Sequence, residues 1–380
     1  MEFLRKYLLL LFLIANVTAE YILFMSVSKY LFYAALGLSV FFLLSKEVIS
    51  PAAVRTCPHI YALAGIIIIY QILFGMGTFG YDSATYFAGK IATFAIMMLC
   101  ISHNFEFYLK KSILPFSYII LALIVLGWFY HRTGGTSSSY LVFGFSNRNA
   151  ACAVAAIGFA GFLFARESHR KSDYLCMAIL FFTILIGGSR NSLAMCILFV
   201  IIRYGLSMRM VAVMALSAIL IIFVLPEIGV EINAFNRLVD TVTGNLATDR
   251  EAQRQGATMM IHAKPITGWG FASQIQGRAL EISHYGAHNG YLTLIMYMGL
   301  PLGLAFIGTI AWGVLKRFEL YWLRDNVLNY HLAVMVSILF AANQEDYLVG
   351  VNQIITNMFF VSFVVTGIYM YYYKHDYIKS

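Results

Sequence analysis

Charged residues are scarce in this sequence. Asp, Glu, Lys and Arg make up 12% of its 380 residues, against about 25% in a soluble globular domain. Hydrophobic residues make up 61%. A water-soluble fold of this length cannot hide so much apolar surface, so the scarcity excludes a soluble domain and points to the bilayer as solvent. Cysteine is sparse too. Cys57, Cys100, Cys152, Cys176 and Cys196 lie in or beside apolar runs, with no CxxC spacing. That excludes a disulfide framework and a cysteine metal site, and leaves five small apolar residues. No DxD, Walker A or GxSxG pattern occurs, which sets aside nucleotide-driven transport and the common hydrolases. Internal repeats and low-complexity segments are also missing. The first apolar run, 7–25, lacks a small-residue cleavage site and is long enough to span, so it reads as a signal anchor.

What the chain has in quantity is apolar segments. A helix needs about 20 mostly apolar residues to cross the hydrocarbon core. Such runs occur near 7–25, 28–46, 59–76, 86–102, 113–131, 149–166, 174–188, 191–205, 210–226, 288–314, 328–343 and 352–373. Gly187-Gly188-Ser189 separates the two shortest, 174–188 and 191–205. The reading is an all-α integral membrane protein of about twelve transmembrane helices, a single polytopic domain over 1–380. Residues 227–287 form one long loop, carrying short helices, inserted between the ninth and tenth spans.

Charge sets the orientation. The net charge of +8 fits a positive-inside bias, because no basic cluster with interleaved aromatics offers a surface to nucleic acid. With the N-terminus inside, the cytoplasmic segments hold Arg5, Lys6, Lys46, Arg55, Lys110, Lys111, Arg166, Arg170, Lys171, Arg203, Arg209, Lys316, Arg317, Arg324, Lys374 and Lys379. The short outer loops hold only Lys29, Lys90, Arg132, Arg148 and Arg190. Both termini are then cytoplasmic. The outer side presents a Gly/Ser/Thr-rich loop near 130–148, the Gly187–Ser192 break and the long loop. Within that loop, Thr248-Asp249-Arg250-Glu251 fits a capping box with Thr248 as N-cap. The helix it starts runs to about His262, before Pro265, with Arg250 and Arg254 on one face. Ile232, Phe235, Leu238, Val239 and Val242 recur at helical spacing as an amphipathic helix.

Ionisable residues at membrane depth are costly and usually face a cavity or a partner. Arg190, between two glycines and the next apolar run, offers a permanently charged fork of donors to phosphate oxygens; it reads equally as a snorkelling arginine. Arg148 opens the sixth span, where its charge opposes the helix dipole unless an anion joins it; a solvated loop arginine is the alternative. His288 is either a proton acceptor or part of a His-Asn cap with Asn289. His284 is a weak metal partner for it, because no carboxylate cluster completes a site. Gln344-Glu345-Asp346-Tyr347 either orients an arginine or histidine, binds sugar hydroxyls, or is a solvated loop.

Several of these pieces fall in a familiar order. Asn147-Arg148-Asn149-Ala150-Ala151 is followed by Gly188-Ser189-Arg190-Asn191-Ser192-Leu193-Ala194. Then come a helix with Arg250, Lys264-Pro265-Ile266-Thr267-Gly268-Trp269-Gly270-Phe271, Ala287-His288-Asn289-Gly290-Tyr291-Leu292, and Gly299-Leu300-Pro301-Leu302-Gly303. The order resembles the O-antigen polymerase and O-antigen ligase superfamily of bacterial envelope polysaccharide enzymes, best over residues 145–305. The resemblance implies an inner-membrane glycosyltransferase that uses an undecaprenyl-diphosphate-linked glycan at the periplasmic face, with no metal and no other cofactor. It assigns catalysis to Arg190, Arg250 and His288. Arg148 and Arg254 join them as substrate-binding candidates by position, with Asn289 and Tyr291 beside the histidine. The family often has an aromatic residue near position 254, so Arg254 is a departure. A single inverting displacement is implied, with a polysaccharide chain-length regulator as partner. The polyprenyl tail would lie in an apolar groove between spans. The 133–139 loop and Trp269, Phe271, Tyr285 and Tyr291 are candidates for sugar contacts, or else part of an interfacial aromatic belt. The wording at 288–292 and 299–301 is closer to polymerases; a ligase that transfers the glycan to lipid A–core remains the alternative. A transporter of lipid-linked sugars is the alternative of another class, and would favour broken helices with charges at the midplane.

Overall fold

Hydrocarbon offers no partner to a peptide group, so an apolar chain must satisfy its amides within its own segments. The structure is a computed structural model that describes residues 2–21, 24–40, 45–75, 80–132, 144–145, 147–208, 247–271 and 287–374. Among these residues every regular element is a helix, and Tyr21 and Phe145 form one isolated bridge. The helices are α1 (Glu2–Ala19), α2 (Met25–Val40), α3 (Lys46–Ile49), α4 (Pro51–Thr56), α5 (Pro58–Tyr70), α6 (Gly80–His103) and α7 (Ile113–Arg132). They continue as α8 (Arg148–Phe164), α9 (Lys171–Gly187), α10 (Arg190–Tyr204), α11 (Ala247–Ala263), α12 (Gly290–Arg317), α13 (Asn326–Ala341) and α14 (Ile354–Lys374).

A helix lies at each expected span position except 210–226, which falls outside the described residues. Five helical stretches are long and apolar enough to cross a membrane by length and composition: Pro58–Gly75, Ser83–His103, Phe107–Phe129, Gly290–Leu323 and Ile354–Lys374. The chain is thus an all-α, multi-pass membrane protein. Two shorter apolar helices, α8 and α13, lie largely inside the protein. In α8 every residue from Ala151 to Phe164 is buried, enclosed by α7, α9, α10, α13 and α14. Its small residues permit this. A side chain at Gly161 would collide with Ser117 of α7, and one at Gly158 would press on Ile120 and Leu180.

Contacts show which ends lie together. The Tyr108 hydroxyl donates to the Lys6 carbonyl, Arg5 pairs with Glu47, and a His331 ring nitrogen meets the Leu109 carbonyl. Arg203 donates to the carbonyls of Arg166 and Glu167, and Phe164 meets Tyr330 edge-on. Lys374 pairs with Glu319. The basic segments thus gather at one end of the bundle. The starts of α8 and α10 and the loop 342–353 lie at the other, here the site end.

From the long loop, residues 247–271 are described; Ile232, Phe235, Leu238, Val239 and Val242 lie outside. Helix α11 already contains Ala247 and Thr248, so Thr248 lies inside the helix and is not its N-cap. Propensity marks such boundaries only to within a residue or two. Its end at Ala263 agrees with the block set by Pro265. Beyond it, 264–271 lies against α12, which is broken at Gly299 (φ +74°) ahead of Pro301. The amides of Trp269, Gly270 and Leu300 donate to the carbonyls of Met296, Tyr297 and Pro265. The break is therefore filled by backbone.

Candidate functional site

The Gly187–Ser192 break is built by local chemistry. Gly188 ends α9 in the left-handed region at φ +71°, a conformation that suits glycine. The Ser189 side chain then caps α10, accepting from the Ser192 amide at 3.4 Å and lying 3.0 Å from its hydroxyl. Arg190 is the first helical residue and is partly buried. Helix α8 repeats the pattern: the Asn147 side chain accepts from the Asn149 amide at 2.8 Å, and Arg148 is the first helical residue, also partly buried. Helices α8 and α10 pack side by side, with their other ends tied by Arg203. Two guanidinium groups therefore start two neighbouring helices at the same end, each at the positive pole of a helix dipole.

A second group forms where α12 begins. His288 is exposed and has φ +42°, one of two described non-glycine residues with positive φ. Its Nδ1 lies 3.8 Å from Oε2 of Glu345, whose residue is 8% exposed. The other oxygen of Glu345, Oε1, accepts from Asn149 Nδ2 at 2.9 Å. This carboxylate thus joins the start of α8, beside Arg148, to the start of α12. The segment 344–347 is no solvated loop: Tyr347 is buried, and Asp346 accepts from the Thr293 hydroxyl at 2.7 Å. Burial is the main influence on Asp346 and raises its carboxyl above the usual carboxylate range; Thr293 and then His288 pull it back.

Two carbonyls fix this loop from below. Lys90, expected in an outer loop, is instead buried within α6, where it donates to the Gly350 carbonyl at 3.0 Å and lies 4.7 Å from the Phe360 ring. The Tyr86 hydroxyl donates to the Val349 carbonyl. Sequence reasoning assigned Lys90 to an outer loop, met Asn149 only as part of the 147–151 motif, and passed over Tyr86. An ionisable residue inside an apolar run was the available signal for Lys90; nothing local marked the other two.

The remaining candidates divide. Asn289 is buried and caps α12, accepting from the amides of Tyr291 and Leu292 at 3.0 Å each and donating to the Asn343 carbonyl at 2.9 Å. The Tyr291 hydroxyl donates to the Leu339 carbonyl at 2.7 Å, and its ring is half-buried. Arg254 is half-buried on α11. It lies one turn before Ala257, which joins Met260, Trp269, Ala287 and Met296 in a small apolar cluster. The Arg250 backbone is one turn earlier; its side chain lies outside the described residues. Tyr285, His284 and the 133–139 loop lie outside them entirely.

Trp269 and Phe271 are core residues rather than sugar platforms or belt. The Trp269 ring nitrogen donates to the Met260 carbonyl at 2.7 Å, and Phe271 stacks on Tyr86 at 4.6 Å. Their burial follows from the docking of 264–271 into the break of α12. Elsewhere near the site end, an apolar groove of about 500 Å³ runs between α7 and α9. It is lined by Trp128, Ala178, Ile179, Phe181, Phe182 and Leu185, and the last of these is one turn before the Gly187–Ser192 break. Among the described residues, no group of three His, Cys, Asp or Glu could hold a metal ion.

Residues 175–307 match the family model described as O-Antigen ligase. The match takes in Arg190, Arg250, Arg254, His288, Asn289 and Tyr291; Arg148, Asn149 and Glu345 lie beyond it. No curated protein matches the chain.

Proposed function

We propose that the chain, whose residues 175–307 match the O-Antigen ligase family model, is a glycosyl-transferring envelope enzyme of the O-antigen polymerase and ligase superfamily and that it polymerises undecaprenyl-diphosphate-linked repeat units. The reaction takes place at the periplasmic face of a twelve-span inner-membrane protein. The long loop 227–287 and the site end of the bundle face the periplasm, and both termini face the cytoplasm.

One observation carries the reading: Arg148 and Arg190 start neighbouring helices at the end of the bundle that holds His288. The acceptor sugar hydroxyl attacks the anomeric carbon as the bond to the diphosphate oxygen breaks. The hydroxyl proton passes to His288, and the bond electrons leave with the lipid diphosphate. Charge grows on that leaving group through the transition state, so fixed guanidinium groups bind it more tightly there than in the ground state. Arg250 and Arg254 supply further positive charge from α11. The groove below the Gly187–Ser192 break suits the first isoprene units of the lipid.

The description of the matched family supports a second reading, transfer of the glycan to lipid A–core. Reconstitution with a lipid-linked repeat unit and no other protein separates the readings. We expect a ladder of lengthened products. Product formed only with added lipid A–core would make the enzyme a ligase. Movement of the lipid-linked sugar across the bilayer without transfer would make it a transporter.

A further inference from the structure

His288 carries a backbone strain that its sequence neighbours do not relieve. A histidine at φ +42° is in a sparsely populated region, and such residues persist where the surroundings hold them. The surroundings here are explicit. Asn289 on one side is locked by its cap and by Asn343. The Gly290 amide, one residue further, donates to the carbonyls of both Ala342 at 2.7 Å and Glu345 at 3.1 Å. A side chain at Gly290 would press on the Glu345 carbonyl. The backbone of Glu345 thus holds the start of α12, while its side chain faces the imidazole at 3.8 Å. Asn149 fixes the other carboxylate oxygen, and Lys90 and Tyr86 hold the loop a few residues on.

From this geometry we infer that Glu345 is the positioning residue for His288: it holds the Nδ1–H tautomer and turns Nε2 toward the acceptor hydroxyl. The inference rests on the reading of His288 as the base. A carboxylate on Nδ1 selects the tautomer and stabilises the imidazolium formed as the proton arrives. The 3.8 Å separation is loose for a hydrogen bond, and such contacts commonly tighten when substrate binds. Other charged groups also face this end: Asp346 on the same loop, Arg148 on α8, Arg190 on α10 and Arg254 on α11. Among these, Asp346 is the competing anion, because it feels the charge of His288 but is already bonded to Thr293.

The test is the pH profile of kcat/KM for the full chain in proteoliposomes, with a lipid-linked repeat unit as substrate. A carboxylate raises the midpoint at which the imidazole protonates. E345Q keeps the shape and the bond from Asn149 but loses the charge. We expect its acidic limb to move to lower pH, further than in D346N, with kcat/KM down about tenfold or more. E345D keeps the charge on a shorter arm; its limb should lie between those of the wild type and E345Q, which gives the same readout if E345Q folds poorly. Histidine-labelled protein in nanodiscs, titrated by NMR without substrate, should show the same order of midpoints for His288. An unmoved limb and midpoint in E345Q, or a larger shift in D346N, overturns the inference and leaves the base intact. Full activity in H288Q overturns the base reading itself.

Discussion

A guanidinium at the first residue of a helix sits at the wrong end of the dipole, and a bound anion removes the conflict. Arg148 and Arg190 both have this placement. If Arg190 grips a diphosphate through two parallel N–H bonds, a lysine cannot replace it. We expect R190K and R190A to lose similar activity, about a hundredfold or more; full activity in R190K would remove the forked contact. Asn289 belongs to another class. Both its side-chain polar atoms serve the fold, so N289A should lower the stability of the detergent-solubilised protein by about 1–2 kcal/mol of cap energy, read as a fall in its thermal midpoint. An unchanged midpoint would show that α12 does not need this cap. Arg190 and His288 were legible as candidates because charge in an apolar sequence is conspicuous. Asn289 was legible only as one of two alternatives, because a cap and a ligand look alike until the partners are known.

At the scale of elements, the break in α12 is the decisive feature. Pro301 alone accounts for a kink, but the open carbonyls ahead of it are satisfied by the segment 264–271. Two glycines make the crossing possible. Gly268 (φ +62°) faces the Tyr297 carbonyl and Gly299 (φ +74°) faces the Ile266 carbonyl, so a side chain at either would collide with backbone. G268A and G299A should each cost more than about 1 kcal/mol, measured as a fall in the thermal midpoint. Gly65 and Gly308, with open space around them, should tolerate alanine. Equal stability of G299A and wild type would mean that the crossing relaxes. The same docking explains Trp269 and Phe271. Their types suggested sugar stacking, and hydropathy reported nothing of the notch they fill.

At the scale of the whole molecule, the prediction concerns sidedness. The five native cysteines are buried and form no disulfide, so an introduced thiol can be read against a quiet background. Asn352 is exposed at the site end, and Glu319 is exposed beside Lys374 at the other. A membrane-impermeant maleimide should label N352C in intact spheroplasts and E319C only after lysis. The reverse pattern would turn the site to the cytosol and end the periplasmic reading. Lys90 shows how the whole molecule accommodates an ionisable residue deep in a span. Two carbonyls and an aromatic face receive it, and the loop that carries Glu345 is held as a result.

The sequence by itself determined the solvent of this protein, the positions of most of the described helices, the break before Arg190 and the short list of charged residues worth attention. Hydropathy, glycine and capping act within a turn or two of chain, so they can be read from neighbours alone. The tertiary structure decided which of those residues meet. Asn149 reaches Glu345 across 196 positions and Lys90 reaches Gly350 across 260. Whether His288 has a carboxylate beside it, and whether Trp269 faces sugar or core, depends on how helices far apart in sequence pack, and no local pattern encodes that.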